Sequence, residues 1–435
     1  MKYKLHTDEL ADPRAIPMTL ARHLRSDATW LFAARFIRLF AYGSLSVVLV
    51  FYLIGVGLTE AQTGLLLALT LFGDTAVSLL ITTRADRVGR RRMLLAGAAL
   101  MSLAGLVFAS TGHFWLLLLA ATIGVISPSG QEVGPFLPIE QAMLARTATG
   151  QNRTELFAWY TLTGSVATAL GALAGGLLAH AVAQVGTSPV SSYRAVVILY
   201  AALGALLALL FWQLPRDGER AAAADDRSAL RGPLARLSSL DRSRPVVLKL
   251  SALFALDAFG GGFVAQSFAA YWFHLRFGVD PGTLGPIFFW ANILAGVSAL
   301  LASRLAARFG LIRTMVWTHL PSNVLLILIP LLPTLPLAVA ALWIRFSISQ
   351  MDVPTRQSYV MAVVTQEERS AAGGITGVAR TLGSAISPLF VGLMFAQPST
   401  INVPFFLAGT LKIAYDLLLY QQFARTQRWD AHHLS

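Results

Sequence analysis

Twelve ionisable side chains stand out as candidates inside stretches of this chain that are otherwise apolar. The bases are Arg35, Arg38, Arg345, Arg356, Arg380 and Lys412; the acids are Asp74, Glu132, Glu140, Asp257, Asp352 and Asp416. A charge in such a setting is expensive unless it faces a cavity or a partner, so each marks a functional or a paired position. Six against six is no anion trap. Balance suits internal ion pairs that break and re-form, with one or more acids exchanging protons.

Glu132 stands in Ser127-Pro128-Ser129-Gly130-Gln131-Glu132-Val133-Gly134-Pro135-Phe136-Leu137-Pro138. Three prolines and two glycines cannot make a regular helix. Broken backbone at membrane depth is tolerated where it is buried in protein or lines a cavity, and transport sites use such breaks. Asp352 lies beside Pro354 in a comparable setting. Both acids are candidates for proton or cation coupling; alternatively, Asp352 simply pairs with Arg356 one turn away. Arg35 and Arg38 either bind an anionic group, pair with Asp74, or snorkel to lipid headgroups. Asp257 precedes Phe259-Gly260-Gly261-Gly262 and is a proton carrier or half of a structural pair, with Arg345 as the partner considered. Lys412 and Asp416 are one turn apart and read as a structural pair. Tyr271, Trp272, Phe288, Phe289 and Trp290 either line a pocket for an amphiphile or face core and lipid.

The elements that must position these groups are helices. The chain has 435 residues, 55% hydrophobic and 13% charged, with mean hydropathy +0.62. Apolar runs recur at the length that crosses a hydrocarbon core of about 30 Å as helix. Spanning segments must satisfy their backbone internally, which excludes an open sheet, and the ten-residue alternation of a β-barrel is missing. Six runs fall in the first half, at 28–56, 61–83, 93–110, 115–145, 154–180 and 191–213. Six fall in the second, at 246–276, 282–306, 312–332, 337–364, 371–396 and 403–424. The chain thus reads as an all-α polytopic membrane protein. Its parts are an N-terminal segment 1–27, a six-helix bundle 28–213, a linker 214–245, a second bundle 246–424 and a tail 425–435.

The net charge of +12 is read as membrane orientation rather than nucleic-acid binding. Stretches 57–61, 111–114, 181–193, 277–281, 333–336 and 397–402 hold no Lys or Arg, whereas 84–92 holds five Arg and 214–245 seven. Positive residues stay cytoplasmic, which places both termini there. There is no cysteine, so disulfides and thiolate metal sites are excluded. No phosphate-binding loop and no histidine cluster within the runs suggests an enzyme, a cofactor or a metal.

The halves look like repeats. Ala85-Asp86-Arg87-Val88-Gly89-Arg90-Arg91-Arg92 aligns with Ala306-Ala307-Arg308-Phe309-Gly310-Leu311-Ile312-Arg313, and Glu132 sits over Asp352.

Asp86-Arg87-x-Gly89-Arg90-Arg91 resembles the signature loop between the second and third helices of the major facilitator superfamily, departing from it at Thr82, where the pattern has Gly. The resemblance implies twelve transmembrane helices in two pseudo-symmetric bundles and alternating access. It also implies a cytoplasmic latch, with Asp86 facing the N-terminus of the eleventh helix. Ser370 is the N-cap expected there, and Glu367 and Glu368 are the expected partners of Arg87, Arg90 or Arg91. Gly164, Gly171, Gly175 and Gly176 are weakly similar to a glycine-rich motif of the family's proton-coupled drug exporters; close helix packing is the other reading. The expected function is secondary transport: proton-coupled export of a small organic solute or drug by a monomer in the plasma (inner) membrane, if bacterial. The alternatives are uptake of an anionic metabolite on Arg35 and Arg38, and a transport-inactive membrane sensor.

Overall fold

The structure, a computed structural model, describes residues 18–132, 134–147, 153–214, 240, 243–365 and 368–423, without the side chains of 18–27, 82–87, 142, 145–147, 153–155 and 370. The expected tail 425–435, residues 1–17 and most of the linker 214–245 therefore lie outside the described residues, while residues 18–27 of the expected N-terminal segment belong to the first helix. The helices are α1 (Met18–Gly55), α2 (Glu60–Val88), α3 (Arg90–Ser110), α4 (Phe114–Ile123), α5 (Phe136–Thr147), α6 (Arg153–Gln184) and α7 (Pro189–Trp212) in the first half. In the second half they are α8 (Arg244–Gly262), α9 (Gln266–Phe277), α10 (Pro281–Phe309), α11 (Leu311–Leu328), α12 (Leu335–Ser349), α13 (Asp352–Val363), α14 (Arg369–Phe395) and α15 (Val403–Phe423). Among the described residues there is no strand, and ten stretches are long and apolar enough to cross a membrane.

Three runs expected as single helices are divided. In 115–145, α4 ends at Ile123 with Gly124 as its C-cap, and α5 begins only at Phe136. Pro128 cannot donate to the carbonyl of Gly124, and its ring crowds it. Pro354 stands in the same relation to Gln350, where α12 gives way to α13. The run 246–276 divides after Gly260-Gly261-Gly262, between α8 and α9. There the Ser267 N–H leaves its own helix and donates to the Pro128 carbonyl at 3.1 Å, so the breaks of the two halves touch.

The repeat is visible in the backbone. Gly89 separates α2 from α3 with φ 109°, and Gly310 separates α10 from α11 with φ 86°. Both adopt positive φ, where a side chain would be strained, so both turns need glycine.

The halves meet at two helix crossings without side chains. A Cβ on Gly64 of α2 would lie 2.4 Å from the Pro388 carbonyl oxygen and 2.8 Å from Cα of Gly392, both in α14. A Cβ on Gly176 of α6 would lie 2.4 Å from the Pro281 oxygen and 2.8 Å from Cα of Gly285, both in α10. Gly171 and Gly175 pack as closely on the α1 backbone at Phe40 and Ser44, so these glycines serve helix packing. Both inter-half crossings lie toward the end whose loops hold no Lys or Arg. Tyr271 donates to Glu60 there at 3.3 Å, and Phe51 packs on Tyr271 and His274. Nearer the middle, Gln266 donates to Ser46 at 2.8 Å.

His180 and Asp280 join the halves at the same end, 3.1 Å apart and about half exposed. Desolvation pushes the Asp280 carboxyl up, but the Thr283 hydroxyl, His180 and the Thr283 N–H outweigh it and hold it below the usual carboxylate range. A depressed carboxylate contributes at neutral pH, and its contribution fades as pH falls through its lowered value. Exposure screens this pair, so His180→Ala is expected to leave thermal stability nearly unchanged at neutral pH. A large drop in melting temperature would show that the pair holds the closed end together.

Candidate functional site

The buried charges form two networks, one in each half. In the first, Arg38 on α1 is fully buried. Its Nη1 and Nη2 grip both oxygens of Glu140 on α5 at 2.5 and 2.7 Å, and its Nε donates to Glu132 at 2.8 Å. Arg35, one turn earlier, donates to the other oxygen of Glu132 at 2.9 Å. Tyr160 on α6 donates to Glu140. The two guanidinium groups lie over the rings of Tyr160 and Phe136, at 4.4 Å for Arg35 and 4.7 Å for Arg38. Gly164 makes room: a Cβ there would fall 2.8 Å from Arg35 Nε. Bidentate arginine–carboxylate geometry of this kind is strong and specific.

This arrangement decides between the structural readings of the two arginines. Arg35 does not snorkel; it is buried and paired. Neither arginine pairs with Asp74 among the described residues; both are held by carboxylates. Asp74 on α2 is 5% exposed, its Oδ2 accepts the Gly134 N–H at 3.2 Å, and its Oδ1 has no partner among the described residues.

In the second half, Asp257 on α8 sits between two cations. Lys412 on α15 reaches its Oδ1 at 2.6 Å, and Arg356 on α13 reaches its Oδ2 at 3.0 Å. The same Arg356 nitrogen is 2.9 Å from Asp352. Asp352 therefore does pair with Arg356 one turn away, but the pair is shared with Asp257. Lys412 does not pair with Asp416, because its chain extends past Gly261 of α8 to Asp257. Asp416 instead faces α11, 2.9 Å from His319 and 2.9 Å from Asn323. His319 and Asn323 were not singled out from sequence; their signal was a His and an Asn one turn apart in an apolar run. Arg345 on α12 is no partner of Asp257: among the described residues it makes no ion pair, and its Nε is buried without an acceptor.

At the signature loop, the side chains of Asp86, Arg87 and Ser370, and Glu367 altogether, lie outside the described residues. Ser370 is not the N-cap, because α14 starts at Arg369 with Glu368 in the cap position. Glu368 accepts the Ser243 N–H at 3.2 Å. Arg91 takes the carbonyl ends of α7 rather than an acid, donating to Phe211 at 3.1 Å and to Trp212. A cation there meets the negative end of the helix dipole. Of the aromatic residues, Trp272 and Phe288 are core and Trp290 is half exposed.

A bundle of long apolar helices in two repeated halves, with broken helices and buried ion pairs at its centre, defines a polytopic membrane transporter rather than an enzyme. The chain belongs to the Major Facilitator Superfamily, whose model matches residues 31–388 and 275–426. It is an integral, multi-pass membrane protein. It is 32% identical over 421 residues to the Saccharomyces cerevisiae membrane protein YJR124C, covering 91% of this chain and 94% of the relative. It is 22% identical over 368 residues to the quinolone resistance protein NorA of Staphylococcus aureus, covering 84% of this chain and 89% of NorA. The fold is similar to that of the nucleoside transporter NupG, with TM-score 0.72 and 14% identity, over 91% of this chain and 100% of NupG.

Proposed function

We propose that this chain is a secondary active transporter that exports a small organic solute in exchange for protons by alternating access. Each divided run counted as one crossing makes twelve, which puts both termini and the Arg-rich loops on the cytoplasmic face. On this reading the end closed by the Gly64–Gly392 and Gly176–Gly285 crossings is extracellular, and in this state that end is shut. In the opposite state the signature loop, with Asp86, would latch the cytoplasmic side. The relationship to a drug-resistance protein supports export.

The observation that carries proton coupling is Asp74, a buried carboxyl with a single backbone donor and no cation beside it among the described residues. Protonating Asp257 would strand Lys412 and Arg356. Protonating Asp74 removes a charge that nothing offsets. It also takes away the carboxylate that holds the Gly134 N–H. The segment 124–135 is then free to move, and it touches the second half through Pro128 and Ser267. Proton uptake on α2 is thereby linked to the contact between the halves. Uptake of an anion on Arg35 and Arg38 has no such support, since Glu132 and Glu140 already hold both arginines in ion pairs.

The test is proton movement in proteoliposomes that hold a pH-sensitive dye, screened with drugs, organic acids, sugars and metalloid oxyanions. Solute-dependent proton flux is expected in the native protein. Asp74→Asn should cut gradient-driven transport by about tenfold or more, the scale of a coupling free energy, and should spare solute exchange without a gradient. Solute flux with no accompanying protons would overturn the coupling.

A further inference from the structure

The twelve ionisable side chains singled out above, ten of them buried and Glu132 and Arg380 partly so, balance overall but not within each half. The first half holds Arg35 and Arg38 against Asp74, Glu132 and Glu140; the second holds Arg345, Arg356, Arg380 and Lys412 against Asp257, Asp352 and Asp416. In the second half every acid is engaged, Asp257 and Asp352 by Arg356 and Lys412, and Asp416 by His319 and Asn323. Arg345 and Arg380 are left. Arg345 is 8% exposed, and the Nε of both residues is buried with no acceptor. The charges that act most on them are those of the one central cluster: Asp257 and Asp352 on Arg345, and Arg356, Asp257 and Asp352 on Arg380.

The face of α14 that carries Arg380 is open. Leu382, Ile386, Leu389 and Leu393 are exposed along the lipid side of this helix. At about 100° per residue, Gly377, Arg380, Thr381 and Ser384 fall on the opposite side, toward the centre of the molecule. A Cβ at Gly377 would meet nothing within 4 Å, whereas one at Gly383 would lie 2.3 Å from the Ala255 oxygen on α8. A guanidinium is ionised at any physiological pH, and its donor fork matches carboxylate and phosphate oxygens. Two such groups around one charged cluster, Arg380 on an open face and Arg345 buried, in a set one negative charge short, make an anion site.

We propose that Arg345 and Arg380 bind the acidic group, a carboxylate, sulfonate or phosphate monoester, of the transported solute. The proposal rests on the reading of this chain as an alternating-access transporter but is independent of direction and of proton coupling through Asp74.

The test uses the full-length protein in zwitterionic-lipid nanodiscs and matched pairs of acid and neutral analogue: benzoate with benzamide, a quinolone with its carboxamide, a phosphate monoester with its dialkyl ester. At least one acid is expected to bind about tenfold tighter than its neutral partner, as hydrogen bonds to a charged group require. Arg345→Gln and Arg380→Gln should each abolish that preference. Neither variant should lower the melting temperature of the ligand-free protein, whereas Arg356→Gln should lower it markedly, because of these three arginines Arg356 is the one that pairs with buried acids. The proposal is overturned if no acid is preferred, if the preference survives both variants, or if Arg345→Gln destabilises the protein as Arg356→Gln does. Nanodiscs containing phosphatidylglycerol distinguish the other source of an acidic group: acid binding displaced by that lipid would assign the site to a headgroup and overturn the solute form. Loss of proton flux in Asp74→Asn bears only on coupling, so the two readings fail separately.

Discussion

Arg38→Gln is expected to destabilise the folded protein by about 3–5 kcal/mol, the cost of leaving a buried charge without its partner. Arg38 is fully buried and is the main partner of Glu140, itself fully buried, while sharing Glu132 with Arg35. Without it, Glu140 keeps only the Tyr160 hydroxyl. A loss of this size is a large fraction of a native protein's stability, so the variant should melt far below the native protein in detergent and accumulate poorly in membranes. Arg38→Gln combined with Glu140→Gln should recover much of the loss, because removing both charges removes the stranded one. A single variant as stable as the native protein would mean that the pair does not hold α1 against α5.

The second large effect belongs to the glycine crossings. Gly64→Leu or Gly176→Leu places side-chain atoms where backbone atoms of the other half already lie, at 2.4 Å from a carbonyl oxygen in each case. Backbone cannot yield as a side-chain tip does, so the closed end must separate. Overpacking of this kind costs about 1–3 kcal/mol, enough to shift a two-state equilibrium by roughly 5- to 150-fold. Transport should fall accordingly, with the protein held open at the end whose loops hold no Lys or Arg. The absence of cysteine from the sequence makes the measurement direct. Spin labels on Thr59→Cys and Ser399→Cys, both exposed at that end, should move apart in either leucine variant. An unchanged distance with unchanged transport would sink the idea. Gly186→Asn is the control: its surroundings are open, and asparagine tolerates the positive φ of 80°.

The divided helices follow from Pro128 and Pro354, since a proline acts on the carbonyl four residues earlier. The turns at Gly89 and Gly310 follow from the repeat. The Asp352–Arg356 pair obeyed the one-turn spacing rule, but Lys412 and Asp416 obeyed it only on paper. Lys412 lies 155 residues from the acid it binds, and Arg38 lies 102 residues from Glu140. Spacing along one helix says which groups can touch, not whether a stronger partner on a neighbouring helix claims one of them.

By itself, the sequence determined that this protein crosses a membrane many times, that two halves repeat, and that certain helices break. Those properties depend on apolar length, on proline and glycine, and on backbone hydrogen bonds closed within four residues. Only the tertiary structure decided how the charges are divided. Six bases and six acids look balanced along the chain, yet among the described residues packing leaves one acid, Asp74, without a cation in one half and two guanidinium groups, Arg345 and Arg380, without a carboxylate in the other. Coulomb attraction falls with distance in space and is blind to distance along the chain, so a balance counted in sequence could not reveal which charges the fold would leave without a partner.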